Sequence, residues 1–148
     1  MFSASIDQER AIAVWLMSGA SNTEEDYARY VESLLHVQRF MARRERGFGM
    51  MVVDADNPPP NAIWRKRIAD ASTQFPAGCY YVLVSESVII RGVMTALNWI
   101  RPLAITMTTK ATVEEGIAWL ATHGDASTAA ALRLAYHRAR ADARTTSR

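Results

Sequence analysis

Phe48-Gly49-Met50-Met51-Val52-Val53-Asp54 is a nearly unbroken apolar run, and Ala55-Asp56-Asn57-Pro58-Pro59-Pro60 stops it abruptly. Apolar residues at successive positions point to both sides of an extended segment, as in a central strand covered on its two faces. Prolines are excluded from helix interiors but accepted in a first turn, so a helix is expected from about Pro59 or Pro60 to Thr73. Its stripe of Trp64, Ile68, Ala71 and Phe75 recurs at helical spacing, while Arg65, Lys66 and Asp70 mark the outer face. The switch then repeats. Tyr80 to Val84 is a second apolar run, and Ser85 or Ser87 can cap a helix carrying Ile89, Ile90, Val93, Met94, Leu97 and Ile100, which ends at Arg101-Pro102. Leu103 to Thr109 reads as a further strand. Short apolar runs alternating with helically spaced segments imply a sheet whose strands are joined by helices, an α/β fold.

On the N-terminal side, Phe2, Ala4 and Ile6 alternate with polar residues, Asp7 to Arg10 form a polar turn, and Ala11 to Met17 is apolar, the pattern of a hairpin. Ser21 with Glu24, or Thr23 with Asp26, has the spacing of a capping box. The helix it opens carries Tyr27, Tyr30, Val31, Leu34, Gln38 and Met41. Arg43, Arg44 and Arg46 extend it to about Arg46, with Gly47 as a left-handed stop. On the C-terminal side, Thr112 and Glu115 form another capping box, opening a helix through His123 with Gly124 past its end. Asp125 to Thr128 starts an alanine-rich helix through about Asp142, leaving 143–148 as a frayed tail. The expected order is β-β-α-β-α-β-α-β-α, about five strands in one domain spanning 1–142, with right-handed crossovers.

With 148 residues, 49% of them hydrophobic, the chain is long enough for a single core that needs neither disulfide nor metal, since domains of this size bury about 70% of their unfolded surface. A net charge of +2 is too small to imply a polyanionic partner. The single cysteine excludes an intrachain disulfide and fits a reducing, cytoplasmic setting. Cys79, in Gly78-Cys79-Tyr80-Tyr81 at the start of a strand, reads as a small buried hydrophobe. The first residues lack the basic and apolar regions of a secretory signal. No apolar stretch approaches the ~20 residues of a membrane-spanning helix.

Catalytic and metal chemistry find little support. His36, His123 and His137 show no zinc spacing, so neither metal nor cofactor is expected. Ser85-Glu86-Ser87 near Arg91 lacks a G-x-S-x-G elbow, and helix capping accounts for both serines. Gly47-Phe48-Gly49 lacks the spacing of a phosphate loop. The expectation is a protein that is not an enzyme.

Two surfaces stand out instead. Asp54, Asp56, Asn57 and Asn61 follow the carboxyl end of a central strand, where open α/β sheets place their ligands. Ser87, Val88 and Arg91 begin the next helix on the same rim, so these seven residues form one candidate partner-binding surface. Gly92 sits inside that helix at a cost of ~1 kcal/mol relative to alanine, which suits either close approach by a neighbour or ligand, or tight packing on the sheet. The second surface is the basic flank of the last helix, Arg133, His137, Arg140 and Arg144, beside the apolar stripe Leu132, Ala135, Tyr136 and Ala139. It suits an acidic partner or a solvated face. Nucleic acid is not favoured, because Trp64, Trp99 and Trp119 are not interleaved with basic residues.

The element order, together with Arg65-Lys66-Arg67-Ile68-Ala69 and Ser87-Val88-Ile89-Ile90-Arg91-Gly92-Val93-Met94-Thr95-Ala96-Leu97-Asn98-Trp99 followed by Pro102, resembles the STAS-like fold of bacterial anti-sigma-factor antagonists. It is more similar to a set of less characterised bacterial proteins of that fold, which carry an RRRIA-like helix and an S-x-x-x-R-G-x-x-T-A-x-x-W motif. The residue-level likeness covers about half of the chain and carries no activity. It implies a regulatory or scaffolding domain that acts by contact with a protein partner or with itself as a homo-oligomer. Antagonists of that fold are switched at a serine in a D-S-S-G-type turn. Here the turn from Asp54 to Pro60 has no Ser or Thr, so phosphorylation should not switch it, and Asp56 is either a fixed negative charge or a turn residue. The alternative reading is a binder of a small lipid-like or nucleotide ligand, opened among methionine-rich and aromatic helices.

Overall fold

A computed structural model describes the backbone of residues 1–100 and 103–146 and the side chains of 1–96 and 103–145. The chain runs β1 (Phe2–Asp7), β2 (Ile12–Met17), α1 (Glu24–Met41), β3 (Gly47–Val53), α2 (Ala62–Ser72), β4 (Cys79–Val84), α3 (Val88–Ile100), β5 (Thr106–Lys110), α4 (Val113–Ala121) and α5 (Thr128–Thr146). The strands lie side by side in chain order. β1 is antiparallel to β2, with Phe2 opposite Met17, and the remaining neighbours are parallel.

The continuous apolarity of the central strands follows from two cores. Ala13, Trp15 and Met17 of β2 join Met51 and Val53 of β3 under α1, α2 and α3. The intervening Ile12, Val14 and Leu16 join Met50 and Val52 under α4 and α5. Because successive side chains alternate across a strand, a sheet covered twice has no position left for polar residues. The three crossovers cover only one face, so the chain after β5 must cover the other. It does so with the two helices expected after the last strand, which the expected order counted as one helical element: α4 packs on β3, β4 and β5, and α5 on β1 and β2.

Several expected boundaries move. α1 stops at Met41 with Ala42 as its C-cap, so Arg43 to Arg46 form the turn into β3 and do not extend the helix. Gly47 is the first residue of β3 and is not a left-handed cap; a Cβ there would stand 2.7 Å from Met41 Sδ, so it is close approach that requires the glycine. The helix expected from Pro59 or Pro60 begins at Ala62, because Asn61 accepts a 3.0 Å bond from the Trp64 amide and caps it. β5 begins at Thr106, after Leu103. α5 continues through Thr146 and buries Ala143, so 143–146 belong to the helix. The expected stop of α3 at Arg101-Pro102 lies outside the described residues. Of the two possible boxes before α1, Thr23 with Asp26 closes, and the Thr112 and Glu115 box closes as expected.

Candidate functional site

The turn from Asp54 to Asn61 leaves the carboxyl end of β3 and is held from below. Asn57 is buried; its side-chain amide donates to Gly19 O at 2.8 Å and exchanges bonds with the Asn22 side chain at 2.7 and 3.0 Å. These bonds tie the turn to the loop before α1. Asp54 accepts two bonds from Arg140 of α5, at 3.0 and 2.5 Å, a bidentate pairing that pushes the guanidinium pKa up. Arg140 also donates to Tyr136 Oη at 3.0 Å. Asn61 caps α2, Ser87 Oγ accepts from the Ile90 amide at 3.4 Å to cap α3, and Arg91 donates to Ser85 O at 2.5 Å. Of the seven residues expected on this rim, Asp54, Asn57, Asn61, Ser87 and Arg91 thus each commit at least one polar atom to a bond within the chain. Asp56 and Val88 face solvent.

The apolar side of the rim is larger than the sequence suggested. Val88 and Ile89 are 72% and 74% exposed, and Ile63 at the start of α2 is 63% exposed. Ile89 and Ile90 were both expected on the apolar stripe of α3; only Ile90 is buried, since successive helical residues point about 100° apart and Ile89 turns to the rim with Val88. A Cβ at Gly92 would meet nothing within 4 Å, so no neighbour among the described residues requires the glycine, and neither tight packing nor a neighbouring backbone accounts for it. Gly92→Ala is therefore expected to raise the unfolding free energy by about 0.5–1 kcal/mol through helix propensity and a restricted unfolded chain. Urea denaturation measures it, and a loss of stability would reveal a contact that needs the bare backbone.

Behind this rim, α1, α2 and α3 do not close fully on the sheet. They leave a pocket of about 400 Å³. Its floor is Met17 of β2, Met51 and Val53 of β3, Tyr81 and Leu83 of β4, and Met107 of β5. Ile68 and Ala69 of α2 and Ile90, Val93 and Met94 of α3 form its walls, and Pro58, Pro59, Pro60 and Ala62 its mouth. The phenols of Tyr30 and Tyr81 lie 3.3 Å apart and share one hydrogen bond. Burial pushes Tyr30 up to about 12 and Tyr81 well above its ordinary value, so both stay protonated at neutral pH. Arg65 and Lys66 also line it, with Tyr27, Asn57, Ser72 and Leu103. Sequence reasoning offered a pocket among methionine-rich and aromatic helices as its alternative reading but placed none of its floor, because each of its strand residues reads as ordinary core. Its one advance signal was the methionine content, since Met17, Met51, Met94 and Met107 all reach it.

The basic helix surface is partly neutralised. Arg133 pairs with Glu114 of α4 at 2.9 Å and Arg140 with Asp54, while Arg144 borders a shallow hollow beside Met1, Ser18 and Gly19. His137 adjoins Tyr136 on the same helix. Cys79 is buried with its thiol 3.6 Å from Met41 Sδ, and burial pushes its pKa up to about 11, which suppresses the reactive thiolate. His36 contacts Gln8, and His123 stacks on Tyr80 with ring centroids 4.1 Å apart. Among the described residues no group of three or more His, Cys, Asp or Glu gathers as metal ligands, and no helix is long and apolar enough to cross a membrane. Compared with family models, curated proteins and solved structures, the chain matches none.

Proposed function

We propose that the protein is a non-catalytic, STAS-like binding domain that takes a small apolar molecule into the pocket beneath α2 and α3. The pocket itself carries this reading. At about 400 Å³ it falls in the range of sites that bury a small ligand, and its lining is methionine, aliphatic and aromatic, with few polar atoms. The pocket opens at its mouth, so water reaches apolar walls that an apolar ligand would cover, a favourable exchange. The STAS-like part of the reading is supported by the hairpin followed by three crossovers on one face, the arrangement that the resemblance implies.

Native mass spectrometry of freshly purified protein, with titration of the apolar fluorophore aminoanthracene, tests the proposal. The expected result is a retained mass or saturable probe binding that Ala69→Trp, which fills the wall of α2, weakens by about tenfold or more. A protein that retains nothing and takes up no probe would sink it.

A second reading has its own observation. Val88 and Ile89, adjacent at the N-terminal end of α3, are both exposed, as is Ile63 at the start of α2, apolar surface suited to a protein partner or a second copy of this chain with regulatory or scaffolding effect. The polar rim residues favour it less, since most would have to break internal bonds to serve a partner. If this surface mediates self-association, joint Val88→Ser and Ile89→Ser replacement lowers the sedimentation coefficient while the melting temperature holds.

A further inference from the structure

We infer that the pocket's occupant is a single-chain anionic amphiphile, a carboxylate on an alkyl chain, with its tail against the methionines and its head at Arg65 and Lys66; this rests on the pocket being a ligand site. The charge of the lining is one-sided. Apart from Tyr27, Tyr30 and Tyr81, the ionisable groups among its described lining residues are Arg65 and Lys66, and no Asp or Glu is among them. Arg65 is half-buried and donates one N–H to Pro60 O at 2.9 Å. No carboxylate among the described residues pairs with it, so the rest of its donor fork remains for a carboxylate. Lys66 meets Asp70 at 2.7 Å, but both side chains are exposed, and such pairs contribute about 0.2–1 kcal/mol, little enough to exchange for a ligand's carboxylate.

The inner end of the pocket decides the orientation. Tyr30 and Tyr81 share one hydrogen bond between their hydroxyls, and no described cation lies beside them in the lining. A carboxylate driven inward would be desolvated without a counter-charge. The head therefore belongs at the mouth and the tail within, where each buried methylene contributes about 0.8 kcal/mol. Unbranched, polarisable methionines accommodate a flexible chain better than β-branched residues, and Met17, Met51, Met94 and Met107 all line its path. A volume of about 400 Å³, near the lower end of the range for ligand sites, favours one chain over two. A nucleotide fits poorly, because its sugar and phosphates would face apolar walls.

Laurate and dodecanol, which share a chain length and differ in head charge, are competed against aminoanthracene below their aggregation concentrations, on wild type and on the Arg65→Gln, Lys66→Gln double variant. Wild type should bind laurate at least about tenfold more tightly than dodecanol, and added salt should narrow the difference. The variant, checked for an unchanged melting temperature, should lose that preference while holding dodecanol as before. Equal binding of the two in wild type, or a preference that survives in the variant, overturns the head-group assignment and leaves the apolar pocket standing. Failure of laurate, dodecanol and probe alike overturns the pocket reading itself.

Discussion

Trp64→Ala is expected to lower the unfolding free energy by about 3–5 kcal/mol, the range for truncating a large buried aromatic. The indole is 4% exposed and stacks on Tyr27 of α1, with centroids 5.6 Å apart and planes tilted by 24°. Its Nε1 donates to Glu24 at 2.7 Å, and the Arg67 guanidinium lies 4.7 Å from its ring centroid. One side chain thus joins the first turn of α2 to the first turn of α1. Its removal leaves a cavity and an unmatched Glu24 at once. A domain stable by 5–15 kcal/mol would lose a large share, which urea unfolding reads directly. A loss below about 1 kcal/mol, the size of a surface effect, would mean that α2 does not present this face to α1.

Asp26→Ala is expected to cost about 2–4 kcal/mol, summing a lost cap and an orphaned buried donor. Asp26 closes the box that starts α1, accepting from the Thr23 amide at 2.9 Å, and it also accepts from the Phe2 amide of β1 at 2.8 Å. The N-terminal amine stands 3.6 Å away. Burial alone would raise the pKa of this carboxyl, but the bonds from Thr23 and Phe2, with the nearby amine, outweigh it and hold the pKa below the ordinary value. A carboxyl whose folded pKa is depressed binds its proton more weakly when folded. Its stabilisation is therefore complete above the unfolded value, about 3.9, and is lost as pH falls through that value toward the folded one. Wild type should show this acid loss in urea midpoints taken below about pH 5, and the variant should show a flatter slope there. Equal slopes would show that Asp26 is not held as a buried acceptor.

The rim was partly legible. Asp54, Asn57, Asn61, Ser87 and Arg91 were singled out from their place after strands or at helix starts, and the structure does bring their segments to one edge of the sheet. What they do there was not legible. Asp54 is bound by Arg140, 86 positions away, and Asn57 by Gly19 and Asn22, 38 and 35 positions away. No spacing rule reaches across such intervals, because these bonds exist only once separate elements are packed.

The sequence by itself determined what is local. Hydrophobic period distinguishes the extended run at Met50 to Val53 from the helical stripe of Trp64 and Ile68, and three-residue box spacing places the start of α4 at Thr112 and narrows that of α1 to Ser21 or Thr23, since those contacts lie within a single turn. Tertiary structure decided the rest. Where α1 ends was decided by the path into β3, and which of Val88, Ile89 and Ile90 turns inward was decided by the rotation of α3 against β4 and β5. The pocket is a space left where three helices meet the sheet, set by distances between elements that no single residue encodes.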